Sequence, residues 1–193
     1  MSQAFTLSAP KHRWGDFGDI LVHGMTNHLP RENGSLQLER TGPFVPQIFF
    51  PGVSDVIVND LVKLKLSALL PELLFRPVIK ARIVQLNWHE WPATGEEPAV
   101  LPESGEPEDY VLAAPHSASL AEELGPLWEV VAVIDAEIQG SGGGIRLRRF
   151  NGQHLVRANI MGGYNFASAQ LREALGSIAP NDVSMQLARN SDA

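Results

Sequence analysis

Residues 56–71 read VIVNDLVKLKLSALLP. The three β-branched residues Val56, Ile57 and Val58 favour a strand. Asn59 then offers a side-chain oxygen to the free amides that open a helix, and Asp60 places a carboxylate where the helix dipole favours one. Val58, Leu61, Val62, Leu66, Leu69 and Leu70 recur at helical spacing as one apolar stripe, with Lys63 and Lys65 off it. Pro71 ends the helix. The unit is therefore a strand running into an amphipathic helix over about 58–70. A second strand-like run, Leu73 to Trp88, follows; its apolar parity changes near Ile83-Val84, which implies a bulge or burial on both faces.

The same order returns near the C-terminus. Phe166, Ala167, Leu171, Ala174, Leu175 and Ile178 form a second stripe, a helix over about 166–176 capped by Asn165 or Ser168, with Pro180 and a strand-like Val183 to Leu187 behind it. Laying Asn59 on Ser168, an offset of 109 residues, also superposes Val62 on Leu171, Leu66 on Leu175, Leu69 on Ile178 and Pro71 on Pro180. Capping physics alone reuses such units, so the pattern leaves an internal duplication open.

Working outward, residues 1–19 read as an irregular lead-in broken by Pro10, Gly15 and Gly18, and Ile20 to His23 as a short strand. Ser35 to Arg40 carries half a strand alternation, and Gln47 to Phe50 is a short apolar run. Residues 91–110, WPATGEEPAVLPESGEPEDY, lack any period and predict a long acidic, proline-rich loop. Such a loop exceeds the roughly 12–15 residues a compact domain usually tolerates without a purpose. Val111 to Ala114 suggests an edge strand, and Ser117 or Ser119 caps a short helix through Leu124. From Trp128 to Ile138 an alternation with Val131 and Val133 as apolar exceptions predicts one half-buried strand with Glu129, Asp135 and Glu137 on the solvent side. The turns at Gly140–Gly144 and Asn151-Gly152 then predict three consecutive antiparallel strands. The expected fold is a single α+β domain over residues 1–193 with a mixed or antiparallel sheet, two amphipathic helices and a tail at 188–193 that frays.

Charge is segregated along this chain. Between Arg82 and Arg146 there is no lysine or arginine, yet the interval holds Glu90, Glu96, Glu97, Glu103, Glu106, Glu108, Asp109, Glu122, Glu123, Glu129, Asp135 and Glu137, more than half of the 22 acids. The net charge of −7 argues against general nucleic-acid binding. The absence of cysteine excludes disulfides, thiolate metal ligands and a cysteine nucleophile. The N-terminus lacks the apolar core of a secretory signal and no run approaches the ~18 apolar residues of a membrane helix, so a cytoplasmic protein is expected.

No catalytic signature stands out. His89-Glu90 between Trp88 and Trp91 lacks the further ligand that an H-E-x-x-H site supplies, and reads as a strand end anchored by tryptophans. His116-Ser117 lacks a nucleophile elbow. The glycine run at 140–144 lacks the lysine and following helix of a phosphate loop. Arg146, Arg148, Arg149 and Arg157 form a basic patch able to face the acidic segment, and no calcium-loop spacing occurs. No metal or cofactor is expected.

The stretch VSDVIVNDLVKLKL, then FRPV, the run to LNWHEW, the later SGEPEDY and the unit NFASAQLREAL together resemble a family of bacterial immunity proteins encoded beside polymorphic or contact-dependent toxins. The resemblance covers about residues 47–187. It implies an α+β protein without catalytic activity that binds and neutralises one cognate toxin in the cytosol. The segregated charge fits that implication, because clustered carboxylates speed association with a basic partner. The expected partner-binding residues are Trp88, Trp91, Glu96, Glu97, Glu103, Glu106, Glu108, Asp109 and Tyr110. The alternative is a small hydrolase-like enzyme using His89 or His116 with nearby carboxylates, and a third reading is a subunit of a homo-oligomer.

Overall fold

The computed structural model describes residues 3–52, 54–135, 139–141, 144–146, 153–158 and 163–188. The chain opens with strand β1 (Ala4–Ser8) and helix α1 (Asp16–His23), then β2 (Gln37–Gly42), β3 (Ile48–Phe49) and β4 (Ile57–Asn59). Helix α2 (Asp60–Leu69), β5 (Phe75–Pro77), β6 (Ile79–Gln85), α3 (Pro107–Ala113) and α4 (Ala118–Glu123) follow. The last part comprises β7 (Leu127–Val130), β8 (Val133–Asp135), β9 (Gln139–Ser141), β10 (Gly144–Arg146), β11 (Leu155–Ala158), β12 (Asn165–Ser168), α5 (Ala169–Ile178) and β13 (Ser184–Leu187). The fold is α+β, as the pattern predicts. No helix among the described residues is long and apolar enough to cross a membrane.

Two equivalent halves organise it. One sheet runs β3-β4-β7-β5; the other runs β11-β12-β1-β13, with β8 added parallel to β11 at its edge. In each half the first two strands pair antiparallel in the same register, Ile48 opposite Val58 and Leu155 opposite Ala167. Each half then enters a ten-residue helix, and at the offset of 109 the helix boundaries coincide. Asn59 Oδ1 accepts from the Val62 amide, and Ser168 Oγ accepts from the Leu171 amide. Even a cation over an aromatic ring recurs. Lys63 Nζ lies 4.8 Å from the Trp128 ring centroid, and Arg172 Cζ lies 4.7 Å from that of Phe5. The strand between the flanking pair, however, is β7 from mid-chain in one half and β1 from the N-terminus in the other.

Both helices bury one stripe in a shared core. Val62, Leu66 and Leu70 meet Leu171, Ala174 and Leu175, with Leu7, Ile48, Val58, Val130, Leu155 and Ala167 supplied by the two sheets. Each such side chain contributes on the order of 1.5–3 kcal/mol when taken from water. The stripe on α2 is narrower than its spacing suggests: Leu61 and Leu69 are exposed, because α5 covers only the line through Val62 and Leu66.

Several expectations are corrected. The lead-in contains β1, an inner strand whose Ala4, Phe5 and Leu7 are buried. Ile20 to His23 is the end of α1 rather than a strand. Asn165–Ser168 is strand β12, so the C-terminal helix begins at Ala169 and runs on to Ile178. The run from Leu73 breaks into β5 and β6 in different sheets, and its bulge falls at Ala81, since Leu38 pairs with Lys80 and Glu39 with Arg82. Val111 to Ala114 belongs mostly to helix α3. Trp128–Ile138 is divided between β7 in one sheet and β8 in the other, with 136–138 outside the described residues. Glu129, expected on the solvent side, is buried and held by Arg31 at 2.7 and 2.8 Å through both carboxylate oxygens. The glycine turn does join a hairpin, β9 with β10. The three-stranded meander does not follow, because β8 pairs parallel with β11; the Asn151-Gly152 turn and the 188–193 tail lie, apart from Ala188, outside the described residues.

The equivalence of the halves extends to energetics. Leu66→Ala and Leu175→Ala should each lower stability by about 2–5 kcal/mol, and Asn59→Ala and Ser168→Ala each by about 1 kcal/mol, measured by urea denaturation. A cap substitution without effect in one half alone would show that the two helices are not equally needed.

Candidate functional site

The acidic segment is built on a floor that begins at the N-terminus. Trp14 and Leu21, on and just before α1, pack with Leu86 and Trp91, and Phe17, Trp88, Ala93, Leu101 and Tyr110 close around them. The Trp91 ring lies 6.2 Å from Trp14 and 6.4 Å from Tyr110, tilted to both. Polar contacts then pin the loop: Arg13 donates to Thr94 O at 2.8 Å, Trp14 Nε1 to Gly95 O at 3.2 Å, and Tyr110 Oη to Gln85 O. Helix α3 starts with Pro107 in its first turn, where no amide is needed, and carries Glu108 and Asp109 near its positive end. The segment is thus a packed layer with a helix inside it rather than one long loop.

The predicted contact residues separate into three groups. Trp91 is fully buried, which corrects its assignment to a partner surface; its ring is the anchor of the loop. Glu96 and Glu108 are used internally, by Arg13 at 3.1 Å and by His28 at 2.8 Å. The Glu96 pair is solvent-exposed on both sides and worth about 0–1 kcal/mol. Glu97, Glu103, Glu106 and Asp109 are exposed and make no ion pair among the described residues. Tyr110 is half-buried, and burial first, then the nearby Glu90 carboxylate, pushes its phenol above the ordinary range.

The acids do not form one continuous face. Ile83 of β6 packs on Leu120 and Ala121 of α4, whereas the next residue, Val84, packs on Val111 of α3. Adjacent strand residues point to opposite faces, so Glu122 and Glu123 on α4 lie across the β2–β6 ribbon from the loop carboxylates. Beside the loop is an apolar cleft of about 390 Å³ lined by Val22, Phe44, Trp88, Pro92, Ala93 and Thr94. Phe44 is 53% exposed and meets Trp88 edge-on at 6.4 Å. Trp88, half-buried, lines this cleft, whereas Trp91 lies inside the protein.

The histidines of the alternative reading acquire no carboxylate among the described residues. His89 is exposed, and Nδ1 of His116 accepts the Ile83 amide at 3.0 Å, a structural duty.

A different cluster was missed. His12 Nε2 lies 3.1 Å from His23 Nε2 and 3.8 Å from Asp19 Oδ1. Asp19 and His23 are one helical turn apart on α1, and His12 reaches over from the preceding loop. Gly18 makes that approach feasible, since a Cβ there would sit 2.8 Å from His12 Cβ. Burial, then His12 and Arg40, push the His23 imidazole down to about 3, so it is neutral; burial raises the Asp19 carboxyl, against the pull of His12. The signal in the sequence is Asp19-x-x-x-His23, a helical spacing that a strand assignment at Ile20 conceals.

Arg40 stands behind this cluster. It is fully buried, donates to Val22 O at 2.9 Å and Phe44 O at 2.6 Å, and lies over the Phe49 ring. It has no carboxylate partner among the described residues, and burial lowers it to about 9. Gly24, at φ +80, is required next to it: a Cβ would meet Arg40 Cβ at 2.4 Å.

No protein-family model, curated protein or solved structure matches this chain.

Trp91→Ala should cost about 3–5 kcal/mol and loosen the whole acidic layer, while Glu103→Gln should change stability by less than about 0.5 kcal/mol. Chemical denaturation with tryptophan fluorescence distinguishes the two.

Proposed function

We propose that this chain is a binding protein that captures a cationic protein partner on the acidic layer around α3, acting as a cytoplasmic immunity protein against the toxic protein encoded beside it. The observation that supports this reading most is the set Glu97, Glu103, Glu106 and Asp109. These four carboxylates are exposed and unpaired among the described residues, yet they sit on a backbone fixed by Trp91, Arg13 and Trp14. Like charges left without cations on one surface disfavour the free monomer, a cost that a basic partner removes. A rigid display also avoids the ordering cost that a loose loop incurs on binding. The adjoining cleft lined by Phe44 and Trp88 gives the charged contact an apolar anchor, the composition that concentrates energy at interfaces. The resemblance to immunity proteins points the same way.

Replacing all four with amides (E97Q, E103Q, E106Q and D109N together) should slow association with the neighbouring toxin about 10- to 1,000-fold at low salt, with little change in stability. Trp88→Ala should act mainly on dissociation. Toxin protection in cells that co-express both proteins, with stopped-flow kinetics, measures this. Unchanged association at low salt by the fourfold variant rules out the acidic layer as the contact.

A further inference from the structure

Outside the acidic layer, three lone-pair donors converge with nothing between them. His12 and His23 present Nε2 to each other at 3.1 Å, Asp19 Oδ1 is 3.8 Å from the former, and the three donor atoms all lie within 4.8 Å of one another. Ligands about 2.0–2.2 Å from a tetrahedral ion are spaced roughly 3.3–3.5 Å apart, so small side-chain movements bring the set into a coordination shell. The present arrangement is poorly satisfied without one. Among the described residues Asp19 Oδ1 is buried without a hydrogen-bond partner, and His23, 2% exposed, has only the facing imidazole at Nε2 and no partner at Nδ1. A buried polar atom left unpaired is destabilising, and a shared cation would satisfy two ring nitrogens and a carboxylate oxygen together.

We propose that His12, Asp19 and His23 form a binding site for one first-row divalent metal ion of the zinc class. Two imidazoles and a carboxylate suit borderline ions rather than calcium or magnesium, which take all-oxygen shells. Three protein ligands leave a position open, the pattern of sites that hold an exchangeable water or ligand. Solvent reaches the cluster at His12 and Asp19, whose side chains are partly exposed. Asp19 lines two clefts, of about 490 and 360 Å³, and Phe50 and Gly52 line both as well. Phe50 also packs edge-on against the His23 ring at 5.9 Å, fixing its orientation. Asp16 adds negative charge on the same helix, while Lys11 at the second cleft and Arg40 behind His23 oppose a cation. Glu108 of α3 lines the larger cleft, but none of the three ligands belongs to the carboxylates proposed to meet a toxin, so the two proposals are tested separately.

The experiment is titration of the tag-free, chelator-treated chain with Zn²⁺, and with Co²⁺ for its visible spectrum. One ion per chain with Kd at or below about 10 μM is expected, together with a zinc-dependent rise in Tm and a cobalt spectrum of low coordination number. His12→Gln and Asp19→Asn, which keep the fold by retaining size and polarity, should each weaken binding at least 100-fold, beyond the about 10- to 100-fold that outer-sphere partners contribute. The E103Q/E106Q/D109N variant should bind as the wild type does. Absence of binding by the wild type, unchanged affinity in the His12 and Asp19 variants, or loss of binding in the acidic-layer variant overturns the proposal.

Discussion

The contact between α2 and α5 is the constraint on which the rest of the fold depends. Each helix lies on a small sheet that has too little apolar surface to stand alone, and burying Leu66 and Leu175 requires the other half to be present. A single helix-on-sheet layer of this size would leave its stripe in water. Pairing two such layers through their helices resolves the shortage and explains why the same strand order, cap position and helix length occur twice. The two halves are joined along a second line as well: Arg157 of β11 donates to Ser54 O and Asp55, and Asn165 of β12 donates to Ser54 O at 3.0 Å, just before β4 begins. Asp55 also accepts from Thr26 at 2.7 Å. This polar seam sits where the apolar core ends.

Buried charge is managed in two opposite ways. Glu129 is taken out of water, but two short bonds from Arg31 and a longer one from Arg76 at 3.5 Å occupy both of its oxygens, and Arg31 is held charged chiefly by that hydrogen bond. Removing a partner from such a group costs more than forming the pair returns, because the remaining charge stays buried. Arg40 instead has, among the described residues, only carbonyl dipoles and an aromatic face, and its lowered proton affinity reflects that poorer solvation. The neighbourhood of Arg40 is also the one in which His23 is kept neutral.

Legibility in the sequence followed how far each element depends on its own residues. The β4–α2 unit was readable because Asn59, the apolar period and Pro71 all act locally, and the same holds for the helix capped by Ser168. What failed was decided by distant partners. Phe5 and Leu7 alternate with Thr6 and Ser8 as in a strand, but the strand is only five residues long, and nothing local shows that β12 and β13 close on it from both sides. Ile20 to His23 is an apolar quartet compatible with either period, and only Asp19 and the packing of Leu21 on Trp91 select the helix. Trp128 to Asp135 runs apolar from Val130 to Ile134 straight through a change of sheet at Val131-Ala132, so periodicity could not reveal the division. Glu129 occupies a polar position of that alternation and is buried all the same, because its cations come from residues 53 and 98 positions away. The acidic surface was legible as charge but not as geometry; Trp91, the most prominent of its aromatics, was assigned outward and points inward.

The base-free interval gains a structural meaning from where its acids find cations. Arg31 and Arg76 reach Glu129, Arg13 reaches Glu96 and His28 reaches Glu108; every one of these partners lies in the chain before the interval begins. Segregation in sequence is therefore partly undone in space, and the chain before Arg82 serves as the counter-charge for the middle. A chain that only needed solvating carboxylates would have no reason to leave some paired and others bare on the same packed layer. Here Glu96 and Glu108 meet cations from the N-terminal segment, whereas Glu97, Glu103, Glu106 and Asp109 are exposed and make no ion pair among the described residues. The aromatic anchor around Trp91 fixes the platform, and pairing neutralises only part of the charge it carries.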